Sequence, residues 1–366
     1  MKTYGYGHQL VDEADVQSVV GVLRGETLTC GPAVAEFEKA ICDYTGVRYC
    51  VAVANATAGL HIAALAAGLG PGDEAITSPI TFLSSANCIA FTGARPVFAD
   101  IESDTANIDP SEIEKRATPR TKAVIPVHFA GQSCDMERIS GIARARGLKV
   151  IEDAAHAIGS DYKGVKVGSC RHSDMTVFSF HPVKTITTGE GGAVTTNDPD
   201  LYRRLKALRA HGIYKDGDMA QTWEYEMRDL GYNYRITDFQ CALGLSQLKK
   251  LDAFKRRRRE IVAFYNERLG LPHLVEREFS NACFHLYPVL VENRREFYFK
   301  AREKGLNLQV HYIPVHTQPY YRETFGYKAG DFPKAEAYYE KCISLPLYPL
   351  LDDADIEEIV KRIKSL

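Results

Sequence analysis

A chain of 366 residues with 45% hydrophobic and 25% charged side chains has an ordinary globular composition and the length of about two domains. Its net charge of −2 offers no support for a nucleic-acid or membrane surface, and its longest apolar stretch is too short to span a bilayer. Nine cysteines, none in a CxxC pair, and a polar opening, MKTYGYGHQLVDEADV, lead us to expect reduced thiols in a cytoplasm, no secretory signal and no metal.

In chain order, VDEADVQSVVGVLRG predicts a helix, with Val16, Val19, Val20 and Leu23 at helical spacing and Asp12 as its N-cap. PAVAEFEKAICDYTG predicts a second, opened by Pro32, striped by Val34, Phe37, Ile41 and Tyr44, and stopped at Gly46. YCVAVA (49–54) then reads as a buried strand and NATAGLHIAALAAGLG as a helix. The alternation continues: strand-like EAITSP, helical TFLSSANCIAFTG, strand-like RPVFAD, helical SEIEKRA, a strand over AVIPVHFAG (123–131), helical MERISGIARARG, and a strand opening LKVIEDAAHA. TVFSF and GAVTTN add two more strands. Apolar strands that do not alternate, separated by helices, imply an α/β fold with a mostly parallel sheet covered on both faces.

The pattern changes near residue 240. One long helix is expected from Thr237 toward Gly270, with its basic run KRRRRE (255–260) as a solvated face. More widely spaced elements follow, ending in a DDADIEEIVKRIKSL helix. The expected division is a large domain over 1–245 and a smaller α+β domain over 246–366.

Open α/β sheets bind ligands at the carboxyl ends of their strands. Three features fall there. Asn55, Ala56 and Thr57 open a helix, whose free N–H groups suit a phosphate as well as they suit an ordinary side-chain cap. Asp153 ends a strand, where a carboxylate serves either as a helix cap or as the partner of a protonated heterocycle; His156 follows three residues on. Lys184, in SFHPVKTITTGEGGAVTT, reads either as a loop lysine with its head in water or as a Schiff-base lysine. Lys184 lies 31 residues beyond Asp153 (184 − 153), so one sheet edge would hold all three. No GxxxxGK[ST] and no GxGxxG is present, which removes the common nucleotide loops.

The runs ANATAGLHIA, ITSPITFLSSANCI, VIEDAAHAIGSDY, FSFHPVKTITTGEGGAVTTND, GYNYRITDFQCALGLSQL and QVHYIPVH resemble the DegT-type nucleotide-sugar aminotransferases, over nearly the whole chain. The resemblance implies a fold-type I enzyme using pyridoxal 5′-phosphate. It implies Lys184 as the Schiff-base lysine and proton carrier, and Asp153 as the pyridine partner. Phe82 would stack on the ring, and His156 would touch its hydroxyl where many relatives carry glutamine. Ala56, Thr57 and Ser179 would hold the phosphate. Asn233 would reach it from a second subunit, making a homodimer, with Arg235 beside it as an anion contact or a structural ion pair. Tyr6, Glu26, Thr27, Leu28 and Thr29, together with Gln309, Val310, His311 and Tyr312, match sugar-nucleotide contacts.

Within the family, FSFHPVKTITTGEGGAV, LGLSQLKK, HLYPVLV and QVHY are most similar to members acting on a UDP-linked 4-keto-6-deoxy-N-acetylhexose in pseudaminic acid biosynthesis, with L-glutamate as amino donor. Other members take dTDP-3-keto, GDP-4-keto or UDP-pentose substrates. Dehydratases in the family carry histidine at the lysine position, and a non-catalytic relative would lack Lys184 or Asp153; both residues are present here.

Overall fold

The helix over Glu13–Leu23 starts where the sequence predicts, because Asp12 and Asp15 form a reciprocal capping box. The computed structural model describes residues 2–366. The next helix, Pro32–Thr45, buries Phe37 and Ile41 and stops at Gly46, which takes the left-handed conformation at φ 76°.

Seven strands form the central sheet: β1 (Tyr49–Val53), β2 (Glu74–Thr77), β3 (Arg95–Phe98), β4 (Thr121–Ile125), β5 (Lys149–Asp153), β6 (Met175–Ser179) and β7 (Gly192–Thr196). Their spatial order is β1-β7-β6-β5-β4-β2-β3. All are parallel except β7, which runs antiparallel to both β1 and β6. Both faces are covered, as the unbroken apolar strands predict. Val51, Val53, Ile151, Met175, Val177 and Val194 pack on one side with Leu60 and Ile62 of the Ala56–Ala66 helix. Cys50, Ala52, Phe178, Phe180 and Ala193 pack on the other with Phe37 and Ile41. A separate core joins Tyr265, Tyr287, Val289, Ile343 and Ile359 near the C-terminus. Tyr4 enters that core, and Tyr4–Gly5 pairs in parallel with Leu306–Asn307.

Three local expectations are corrected. The strand expected over 123–131 ends at Ile125, and Phe129–Gly131 is a short 3-10 turn. Pro126 has no N–H to extend the ladder. The expected long helix from Thr237 is two helices, Asp238–Leu248 and Leu251–Arg268. At the break, Lys250 Nζ is drawn to Asp12 and Asp15, at 2.9 and 2.5 Å. The basic run is not a solvated face. Lys255 is buried and donates to Asp161 at 2.7 Å, and Arg258 is 1% exposed, its Nη1 donating to the carbonyls of Phe284, His285 and Leu347. Within the first helix, Val16 and Leu23 are exposed.

Candidate active site

Strand order brings the predicted residues to one edge. β1 runs into Asn55, whose side chain caps the next helix by accepting from Ala58 N–H at 2.9 Å. The N–H groups of Ala56 and Thr57, in the first turn, have no partner within that helix. β5 ends on Asp153, β6 on Ser179, and Lys184 stands in the loop between β6 and β7. These groups open onto a cavity of about 980 Å³.

The backbone approach at this edge is close. A Cβ on Gly192 would lie 2.7 Å from the Ala56 nitrogen and 2.9 Å from the Phe178 carbonyl oxygen. Only glycine lets the end of the GEGG turn pass the start of the helix. The two hydroxyls Thr57 Oγ1 and Ser84 Oγ lie 2.7 Å apart at the same place.

Asp153 is buried and held at both oxygens. Oδ2 accepts the Ser85 hydroxyl at 2.5 Å, and Oδ1 accepts the Ala155 N–H at 3.1 Å. Lys184 is half-buried, and its amine has no hydrogen-bond partner among the described residues. Loss of water pushes its pKa down to about 8, against a smaller upward pull from Asp153.

The opposite wall is aromatic. His156 Nε2 lies 3.1 Å from the Tyr312 hydroxyl, and the Phe82 and Tyr312 rings are 6.2 Å apart. Phe82 is 58% exposed, a flat apolar face open to the cavity. Burial holds His156 well below the ordinary histidine pKa, with Lys184 and His311 adding to the effect. His311 is lowered by burial to about 3, so both rings are neutral at physiological pH. Tyr312 is pushed upward by burial and keeps its proton.

Of the sequence-predicted residues, Tyr6, Ala56, Thr57, Phe82, Asp153, His156, Ser179, Lys184, Gln309, Val310, His311 and Tyr312 line this one cavity. Glu26, Thr27, Leu28, Thr29, Asn233 and Arg235 do not; all six are exposed on the surface of the single chain. Leu28 and Thr29 pair with the segment just after Arg235, through Asp238 N–H to Leu28 O at 3.0 Å and a bridge from Thr29 to Thr237. Asn233 accepts from Arg235 Nε at 3.0 Å. Sequence reasoning missed Ser84, Ser85, Tyr234 and His285. Ser85 had a signal, since it follows Thr81 by one helical turn in ITFLSS, and the two hydroxyls are 2.6 Å apart.

The profile of the DegT/DnrJ/EryC1/StrS aminotransferase family matches residues 9–364. The chain belongs to this family. Among the relatives of this aminotransferase, the spore coat polysaccharide biosynthesis protein SpsC of Bacillus subtilis is 42% identical, over 99% of the chain and 96% of the relative. The UDP-4-amino-4,6-dideoxy-N-acetyl-beta-L-altrosamine transaminase of Campylobacter jejuni is 37% identical, over 99% and 96%. Among solved structures, Helicobacter pylori PseC, an aminotransferase of pseudaminic acid biosynthesis, superposes with a TM-score of 0.93 at 33% identity, covering 100% of this chain and 99% of PseC. The pyridoxal-phosphate form of a sugar aminotransferase from Streptococcus pneumoniae superposes at 0.92, with 31% identity over 99% of this chain and 98% of that one.

This DegT-family aminotransferase thus has the fold-type I architecture and uses pyridoxal phosphate. The cavity fits that cofactor. It presents a desolvated, unpaired lysine amine, a carboxylate clamped at both oxygens, and a helix start with free N–H groups beside a glycine that no Cβ can replace.

Proposed function

We propose that this sugar aminotransferase moves an amino group from L-glutamate to C4 of a UDP-linked 4-keto-6-deoxy-N-acetylhexose, in the biosynthesis of pseudaminic acid. The observation that supports a transamination site is the meeting of Lys184 and Asp153 with the Ala56–Thr57 helix start in one cavity. The sugar is supported by the name of the Campylobacter relative and by the likeness to PseC.

Pyridoxal phosphate, when bound, supplies an aldehyde that takes up amino groups and a ring that accommodates the electron pair left when a proton departs. The chain's own groups divide the remaining work. Lys184 Nζ would anchor the cofactor and, as a free amine, would take up and return the proton at the reacting carbon. Its pKa near 8 leaves part of it as free amine at neutral pH. Asp153 holds the proton of the ring nitrogen, and Phe82 covers the ring face. His156 meets the ring hydroxyl as a neutral imidazole. The N–H groups of Ala56 and Thr57, with the Thr57 and Ser179 hydroxyls, meet the phosphate. Tyr6 and Gln309, Val310, His311 and Tyr312 line the mouth through which the sugar nucleotide enters.

In this reading the working unit is a homodimer. Asn233 and Arg235, with Glu26, Thr27, Leu28 and Thr29, are exposed because they complete the site of the second copy. Residues 1–245 form the cofactor-binding unit, and residues 246–366 form the small unit that carries the Gln309–Tyr312 wall.

An absorbance titration tests the reading. The visible band of the pyridoxal-phosphate-loaded protein should bleach with L-glutamate and return on adding the UDP-linked 4-keto sugar. The 42% identity to the spore coat polysaccharide protein favours a second reading, in which another nucleotide-linked keto sugar is the acceptor. Recovery with a dTDP, GDP or UDP-pentose keto sugar, and not with the UDP-hexose, would establish it.

A further inference from the structure

We propose that His285 is a positioning residue for the cofactor ring, acting through His156, with Arg258 fixing His285 from behind. The inference rests on the cofactor reading of the cavity. His285 belongs to the HLYPVLV run, which the sequence marks without assigning any role to the histidine.

The geometry is a three-layer stack. The outer layer is His156, whose Nε2 meets the Tyr312 hydroxyl at 3.1 Å. The His285 ring lies directly behind, centroid to centroid at 4.5 Å and tilted by 50°. It also lines the cavity. Its backbone is held on both sides: the N–H donates to Ala130 O at 2.9 Å, and the carbonyl accepts from Arg258 Nη1 at 3.3 Å. The same Nη1 reaches Phe284 O at 3.1 Å and Leu347 O at 2.9 Å, so one guanidinium nitrogen ties the His285 segment to a distant loop.

The contact between the imidazoles is one of packing rather than hydrogen bonding. Both Nδ1 atoms are buried without a partner. The titratable and charged groups around the pair are Lys184, Asp153, His311 and Tyr312 toward the cavity, and Arg258 and Cys283 behind. Burial is the main force holding both imidazoles neutral, and the cations Lys184 and Arg258 act in the same direction on His285. A neutral His156, met by a tyrosine hydroxyl at its edge and by a second ring packed against it at a 50° tilt, is restricted in the orientation it offers the cofactor. Supporting contacts of this kind fix a group that itself touches a cofactor.

The test uses the pyridoxal-phosphate-loaded full-length protein and reads the pH midpoint of its visible absorption band, with no substrate present. His285→Ala should move the midpoint by about half a unit or more and weaken cofactor retention several-fold. His285→Phe, which keeps a flat ring against His156, should restore at least half of the shift. In a His156→Ala background, His285→Ala should have no further effect. If the alanine variant does not hold its fold, His285→Asn removes the ring at lower cost and carries the same expectation. An unchanged midpoint in the ring-less variant overturns the proposal, as does a shift of equal size without His156. A parent protein with no visible band fails the cofactor reading instead, a separate outcome.

Discussion

Ser85 donates its hydroxyl to Asp153 Oδ2 at 2.5 Å, across 68 residues of sequence. Thr81 Oγ1 lies 2.6 Å from the same serine oxygen, so the carboxylate is anchored into the turn that also presents Phe82. In the proposed reading, the acid that would meet the ring nitrogen and the aromatic face that would cover the ring are thereby built as one piece.

Ser85→Ala removes one hydrogen bond to a charged group, about 1.5–3 kcal/mol. The expected fall in kcat/KM is about tenfold to a hundredfold, with the cofactor still bound. Asp153→Asn should fall further, by at least about 10²-fold. Steady-state kinetics on the two variants checks the order. A folded Ser85→Ala enzyme with parental kcat/KM would remove Ser85 from the positioning of Asp153.

Lys184 makes the cofactor-free chain depend on pH in a defined sense. Its pKa is about 8 when folded, against 10.5 for an ordinary lysine. Below pH 8 the amine is charged in both states, and its desolvation is a full penalty on folding. Between those values the unfolded chain binds a proton that the folded chain does not, so stability rises with pH. Above the ordinary value the penalty is gone. Cofactor-free Lys184→Met should therefore be more stable than the parent at pH 7, by up to about 3 kcal/mol. The gap should close as pH rises through that window. Urea unfolding at several pH values reads it directly, and a gap that does not vary with pH would contradict the assignment.

Arg258 gives a stability prediction of the opposite kind. Arg258→Met strands the carbonyls of Phe284, His285 and Leu347 in the interior. The expected loss is about 3–5 kcal/mol, or a melting temperature lower by roughly 10 °C. A variant that melts within a degree or two of the parent would mean that water replaces the guanidinium.

The proposed sharing of the site between two copies has its own test. Lys184→Ala and Asn233→Ala chains should each be inactive as homodimers. Unfolded together and refolded, half of the dimers are mixed, and each mixed dimer holds one intact site. Recovery of about a quarter of the parental activity is expected. No recovery, with mixed dimers demonstrated, would place Asn233 in its own chain's site or in none.

The scaffold was legible because its signals are local. Strands buried on both faces read as apolar runs, and caps such as Asp12 and Gly46 sit within one turn of what they cap. Lys184, Asp153 and the Ala56–Thr57 helix start fell at the ends of predicted strands, but each was ambiguous alone, and their assignment to one site came from the family resemblance. What stayed hidden depends on partners far away in the chain. The spacing of Thr81 and Ser85 marks a hydroxyl pair, but its acceptor, Asp153, lies 68 residues away. Arg258 sits among four other basic residues and is told apart only by three carbonyls that the fold delivers to it. The break after Leu248 is drawn by carboxylates at the opposite end of the chain.

The antiparallel strand β7 has a consequence for motion. Ser179 and Gly192 lie directly opposite one another in the β6–β7 ladder. The loop bearing Lys184 is thus closed at its base by the middle of the sheet, like the bow of a padlock whose shank is the core. Opening it means unzipping strands buried on both faces, so the paired amides of β6 and β7 at the base of the loop belong among the slowest-exchanging in the molecule. The adjustments that admit and release a bulky sugar nucleotide would then fall to the opposite wall, where Tyr6 is half-exposed and Gln309 exposed. In the proposed reading, the lysine's loop is rooted in the core while the mouth of the cavity adjusts.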